Sequence, residues 1–260
     1  MGVYDLALVS EEVDRLMRIE FPTHVSSTIL KAHVHSGMSV LDVGCGPKPA
    51  LGLLCSTIGA DYLPIDKKVE MVDAMNRGLD AHGLQPTAKV ADATALPYGD
   101  GSIDFVHMRF VLMHLPFNQR LKAIRECVRV AKHRAIFLEW DWTPMFHVQG
   151  NSPIINHFAN ASLALAELAG ANLFMGAVLQ SQVLHAVAQS VGRESWGQDR
   201  TKDNRGDIID LCVMGAARAD QLRDDSLAEY FRSVGNYLAD RSYRVDFQPA
   251  EIAQVTVYKS

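Results

Sequence analysis

The chain has 260 residues, 48% of them hydrophobic, with a formal net charge of -5 at pH 7; that length can hold one large or two small domains with a real core. An acidic balance without a dense Lys/Arg run offers no positive field for phosphate backbones and argues against a nucleic-acid substrate. The four cysteines (Cys45, Cys55, Cys127, Cys212) form no CxxC pair, which excludes a zinc ribbon or a disulfide framework as the organising principle.

In chain order, residues 1–36 read as N-terminal helices. Their first segment, MGVYDLALVSEEVDRL, carries acidic residues where a secretory signal begins with a basic stretch, so the expected setting is the cytoplasm. From residue 39 onward, short β-branched runs alternate with segments of helical period, the pattern of crossover βαβ units on a parallel sheet. Strands are expected at 39–43, 61–65, 87–90, 103–108 and 134–140. Leu121, Ile124, Cys127 and Ala131 predict an amphipathic, sheet-covering helix over 118–132. Pro64 sits awkwardly, because proline removes a ladder donor and belongs at an edge or a bulge.

Beyond Trp142 the pattern becomes mostly helical at 154–168, 176–191 and 208–239. A strand is expected near 193–201, and a last one at 252–259, where the residues alternate. The apolar stretch 161–179 is interrupted by Glu167 and Asn172 and is rich in alanine and glycine, so it reads as buried helix rather than a membrane span. It is also a candidate surface for a homodimer or a protein partner. The expected layout is a single domain, with a core at 37–142 and helical lid segments at 143–192 and 205–243.

The strongest chemical signal is Val40-Leu41-Asp42-Val43-Gly44-Cys45-Gly46, an apolar strand running into a glycine turn and then a helix. Such a turn lets the backbone approach a ligand, and the helix behind it directs free amides there. Asp66 follows the second strand about 20 residues after Gly46, where a carboxylate suits the paired hydroxyls of a ribose; its alternative role is a helix cap. Asp92, with the small Ala93 beside it, is placed to accept from a purine amine, and its alternative is a loop aspartate. A GxGxxG dinucleotide fingerprint is excluded, because Pro49 stands where its third glycine belongs.

Taken together, VLDVGCG, LPIDKKVEMV, VADATALPYGDGSIDFVHMRFVLMHL and RVAKHRAIFLEW resemble the successive motifs of class I S-adenosylmethionine-dependent methyltransferases, closest to the ubiquinone/menaquinone-type and natural-product branch. The resemblance is good over 37–142. It implies a Rossmann-like α/β fold: a seven-stranded, mostly parallel sheet with an antiparallel last strand, helices on both faces and an added helical lid. It also implies S-adenosylmethionine as cofactor and S-adenosylhomocysteine as product. Gly44, Cys45 and Gly46 would surround the methionine part, Asp66 the ribose, and Asp92 and Ala93 the adenine, with Arg109 beside the pocket. Asp42, Lys67 and Met71 join the cofactor-binding set. One departure is Pro47-Lys48-Pro49, where the family usually carries another glycine, so the loop is expected to be stiffer and more crowded.

Methyl transfer is an in-line displacement that rests mainly on alignment, with a base where the acceptor carries a proton. Candidate bases are His114, after the fourth strand, and Glu139 and Asp141, at the end of the fifth. His107, inside an apolar strand, reads as core. Trp140, Trp142, Phe146 and Phe174 are candidates for an apolar substrate wall or for core. No metal-ligand spacing is present. The expected activity is methylation of a small molecule on oxygen, carbon or nitrogen, in natural-product biosynthesis. The alternatives are another reaction on the same fold, such as cyclisation or elimination, and a cofactor-binding partner subunit.

Overall fold

The structure is a computed structural model that describes residues 13–14, 16–17, 21–144, 153–187, 191–197, 212, 215–217, 219–220, 223–240 and 251–259. The helices and strands with continuous backbone are α1 (Phe21–His33), β1 (Ser39–Val43), α2 (Ala50–Ile58), β2 (Asp61–Asp66), α3 (Val69–Ala81), β3 (Lys89–Val90), β4 (Ile103–Arg109), α4 (Phe117–Val130), β5 (Ala131–Asp141), α5 (Pro153–Ala169), α6 (Met175–Val187), β6 (Val191–Gly197), α7 (Asp225–Ala239) and β7 (Glu251–Tyr258). A one-turn 3-10 helix, Leu112–His114, lies between β4 and α4.

Seven strands form one sheet in the order β3-β2-β1-β4-β5-β7-β6. The pairs from β3 through β5 are parallel, while β7 runs antiparallel to both β5 and β6. This is a Rossmann-like arrangement with an antiparallel last strand, as expected, with the strand order reversing between β1 and β4. Period-2 alternation assigns each strand residue to one of two layers. Val40, Phe105, Ile136 and Leu138 pack under α1 and α2 with Val25, Ile29, Leu30, Leu51 and Cys55. On the other face Leu41, Val43, Val106, Met108, Ala135 and Phe137 meet α4 and α6 through Ile124, Cys127, Leu179 and Val183. With both faces covered, the central strands are apolar almost throughout, as parallel sheets require.

Three expectations are refined. Pro64 pairs in register with Asp42 of β1, but β3 pairs only with Ile65 and Asp66. Up to Pro64, β2 is therefore an edge on that side, where a missing donor is tolerated. The third strand is shorter than 87–90 because the Asn76 side chain takes both backbone groups of Ala88, accepting from its N–H at 2.9 Å and donating to its carbonyl at 3.1 Å. The stretch 161–179 is two helices: α5 ends at Gly170 in the left-handed region (φ 70°), and α6 begins at Met175.

The helical segments have different roles. α6 lies on the sheet, burying Met175, Leu179 and Val183, which makes it a crossover helix rather than part of a lid. α5 packs against α7 through Phe158 and Phe231, whose rings meet edge-on at 6.4 Å. Most of the expected helical stretch 1–36 before Phe21, and most of 205–224, lies outside the described residues. Among the described residues no helix is long and apolar enough to cross a membrane, and no group of His, Cys, Asp and Glu is placed to hold a metal.

Candidate functional site

The carboxyl ends of β1, β2, β3 and β4 meet at the point where the strand order reverses, the place where open α/β sheets bind ligands. Gly44 (φ 69°) and Gly46 (φ 61°) turn the chain out of β1. The Gly44 and Cys45 N–H groups both donate to the Ile65 carbonyl, at 2.8 and 2.9 Å, and the Gly46 N–H donates to Asp66 Oδ2 at 3.1 Å. The amides of the turn itself are therefore spent on β2, and Pro47 and Pro49 have none to offer, which leaves the first turn of α2 as the source of free amides.

The two glycines differ in what they leave open. A Cβ on Gly44 would fall 2.2 Å from Val111 Cγ2, whereas a Cβ on Gly46 would meet nothing within 4 Å. Gly44 admits Val111 from the far side of the switch point, and Gly46 leaves an open face. The departure at Pro47-Lys48-Pro49 has a packing reason. Pro49 is buried and its carbonyl accepts the Leu53 N–H, while a Cβ on Gly78 of α3 would sit 2.9 Å from Pro49 Cγ. The proline seats α2 against α3. Cys45 is buried, and burial, followed by the Asp42 and Asp66 carboxylates, pushes its thiol well above the ordinary range and favours the neutral thiol.

Asp66 ends β2 with each oxygen holding one backbone N–H: Gly46 on Oδ2 and Lys68 on Oδ1 at 2.9 Å. One lone-pair direction remains on each oxygen. Burial raises its pKa, and the two amides pull it only part of the way back; such a carboxylate gains from further donors. Asp92 follows β3, with Oδ1 accepting the Thr94 N–H and hydroxyl, both at 2.8 Å, and Oδ2 paired to Lys67 Nζ at 2.8 Å. Lys67 first and Thr94 second hold its pKa near about 2. The Lys67–Asp92 pair is open to solvent and links the two aspartate loops. Ala93 is partly buried beside them, and Met71 is buried inside α3. An open glycine face and two carboxylates with unused acceptor capacity suit an adenosine.

Asp42 and Arg109 lie elsewhere than expected. Asp42 is buried beneath the turn, accepting from Tyr62 OH on Oδ2 at 2.7 Å and facing His107 Nδ1 with Oδ1 at 2.8 Å. His107 Nε2 lies 3.0 Å from Ser26 Oγ of α1, and Arg109 donates to that same hydroxyl at 3.0 Å and to the Pro22 carbonyl at 2.8 Å. Asp42 is thus spent on the protein, and the Arg109 guanidinium points at α1. Burial pushes the Asp42 carboxyl up, but His107, Tyr62 and Arg109 outweigh it and leave it below the ordinary range. His107 is core, as expected, but core with two polar partners. The signal for this chain was the register: Asp42 and His107 are paired residues of neighbouring strands.

The candidate bases separate. Glu139 is fully buried, with Oε1 accepting the Leu112 N–H at 2.7 Å and no hydrogen-bond partner on Oε2. Burial drives its pKa up to about 8, against the pull of the Leu112, Met113 and Val111 amides and Arg120. Where the sequence suggests a base meeting the acceptor, the structure encloses the carboxyl within the protein. Asp141 ends β5, accepting from the Thr143 N–H at 2.9 Å and backing onto Gly176 of α6. His114 closes the 3-10 turn and is exposed. Trp140 stacks on Phe110 at 5.0 Å and 8°, Trp142 is buried 6.1 Å from Phe158, and Phe174 is partly buried. Phe146 and His147 lie outside the described residues.

Residues 41–138 match the family described as methyltransferase domain. Over 131 residues, 48% of this chain and 54% of the relative, the sequence is 28% identical to a demethylmenaquinone methyltransferase of Anoxybacillus flavithermus. The chain spans about half or less of the length of the curated relatives it matches. Among solved structures it is similar to one from an Anabaena variabilis antibiotic biosynthesis pathway, described as a methyltransferase, with a TM-score of 0.62, 15% identity, and 90% and 96% of the two chains covered. It is also similar to the [4+2]-cyclase SpnF, with a TM-score of 0.58, 18% identity, and 91% and 81% covered. Residues 41–138 thus match a methyltransferase domain, carried on a sheet of Rossmann-like strand order.

Proposed function

We propose that this chain binds S-adenosylmethionine over the Gly44–Gly46 turn and transfers its methyl group to a small-molecule acceptor, releasing S-adenosylhomocysteine. When bound, the cofactor supplies an electrophilic methyl on sulfur. The observation that carries the reading is the Gly46 N–H to Asp66 contact at 3.1 Å, which ties the open glycine face to a carboxylate with two unused acceptor directions at the switch point.

In this reading Asp66 accepts the two ribose hydroxyls, Asp92 accepts from the adenine amine in place of Lys67, and Ala93 leaves room for the ring. His114, exposed at the end of its turn, takes the proton where the acceptor carries one. Asp141, and Trp142 packed against Phe158 of α5, are read as the acceptor side. The net negative charge and the lack of a basic run support a small acceptor over nucleic acid. The likeness to an antibiotic-pathway protein supports a natural-product context.

The same fold also carries a cyclase, so fold alone does not set the reaction. Incubation with S-adenosylmethionine and a panel of phenols, amines and enolisable ketones, read by mass spectrometry, tests the proposal. A product heavier by one methylene, formed in step with S-adenosylhomocysteine, is the expected result. Turnover of an acceptor without change in mass, and without S-adenosylhomocysteine, overturns it in favour of cyclisation.

A further inference from the structure

Three consecutive residues at the carboxyl end of β5 converge on the short crossing from β4 to α4. The Leu138 carbonyl accepts the Phe110 N–H at 2.9 Å, Glu139 Oε1 accepts the Leu112 N–H at 2.7 Å, and Trp140 stacks flat on the Phe110 ring. Phe110 itself sits at φ 57°, a left-handed conformation that an aromatic residue adopts only when its surroundings force it. The far end of the crossing is held from α4, where Arg120 Nε donates to the Leu112 and Leu115 carbonyls at 2.9 and 2.6 Å. The crossing carries Val111, which fills the space over Gly44, and His114. The Asn172 N–H, in the link between α5 and α6, donates to the Met113 carbonyl at 2.8 Å.

We infer that Glu139 is a positioning residue and not a proton acceptor: from inside the protein it fixes the turn Leu112–His114, and through that turn it sets Val111 against the glycine loop and His114 at the crevice. The inference deepens the reading of this crevice as a methyltransferase site and rests on it. A carboxyl with one oxygen on a backbone amide, the other without a partner, and no exposure is built to hold geometry; a base needs a path to its proton. Its neutral acid and a glutamine present the same acceptor to Leu112, so glutamine should replace it and alanine should not.

The test compares wild type, Glu139→Gln and Glu139→Ala by amide exchange across 108–116 without ligand, by calorimetry with S-adenosylhomocysteine, and by turnover against pH. Glu139→Ala should lose protection at Leu112 and bind S-adenosylhomocysteine roughly tenfold or more weakly, and Glu139→Gln should rescue both. Turnover by Glu139→Gln should keep the wild-type pH profile. If Glu139→Ala does not fold, Arg120→Met opens the other end of the same turn and should show the same paired loss. Unchanged exchange and affinity in the alanine or methionine variant overturns the inference. So does a glutamine variant that binds normally, keeps the turn protected, and loses turnover together with a limb of the pH profile, the signature of a base. Should wild type itself fail to bind S-adenosylhomocysteine, the proposed function falls, while the exchange data still decide whether Glu139 holds the turn.

Discussion

His107 Nδ1 lies 2.8 Å from Asp42 Oδ1, beneath the glycine turn and shielded from solvent. The pair joins β1 to β4 across the switch point and reaches α1 through Ser26, so it fastens the N-terminal helix to the floor of the crevice. Removing His107 leaves buried Asp42 Oδ1 without its partner, while Tyr62 still holds Oδ2. His107→Ala should therefore cost about 3–5 kcal/mol, and Asp42→Asn combined with it should cost less than the sum of the two single changes. Urea unfolding of the double-mutant cycle measures this. Because Asp42 titrates below its ordinary value in the folded protein, its contribution is present above the unfolded carboxylate range and is lost as pH falls through the folded value.

Gly44 and Gly46 look alike in the sequence and should behave differently. Both have positive φ, so Gly46→Ala should cost about 1–2 kcal/mol from backbone conformation alone. Gly44→Ala adds a collision with Val111, an overpacking cost of about 1–3 kcal/mol more. Val111→Ala in the Gly44→Ala background should recover part of that excess and none of the backbone cost. Thermal melts of the three variants show whether it does.

Glu139 should make stability depend on pH in an unusual direction for a carboxylate. Its folded value of about 8 lies above that of an unfolded glutamate. Its contribution is fully present below the unfolded value and is lost as pH rises through the folded one. Relative to Glu139→Gln, the wild type should lose a few kcal/mol of unfolding free energy between about pH 5 and about pH 9. Denaturant titrations of both proteins at the two ends of that range give the sign directly.

The fold could be read from periodicity because each central strand is an apolar run of the right length between helices of period 3.6. Val40–Val43 and the glycines behind it announced the turn, and Asp66 and Asp92 stood at the ends of the next two strands. Periodicity along one strand carries no register between strands, so the meeting of Asp42 with His107, and of Tyr62 with Asp42, was hidden. Nor does it show where a backbone amide is spent. The turn amides of Gly44, Cys45 and Gly46 are bonded to the end of β2, which no sequence pattern announces, and Glu139 resembled a base at a strand end while its carboxyl caps a buried turn. The division of 161–179 did have a signal, because Gly170 and Asn172 are residues that commonly close a helix.

The most direct measurement is calorimetric titration of S-adenosylhomocysteine into the wild type and into Asp66→Asn, with thermal melts of both in parallel. One saturable site in the wild type is predicted, with affinity reduced about tenfold or more in the variant and a melting midpoint lowered only by the loss of the one backbone amide that asparagine cannot accept. No heat of binding in the wild type, or equal affinity in the two proteins, contradicts a cofactor held by the glycine turn and Asp66.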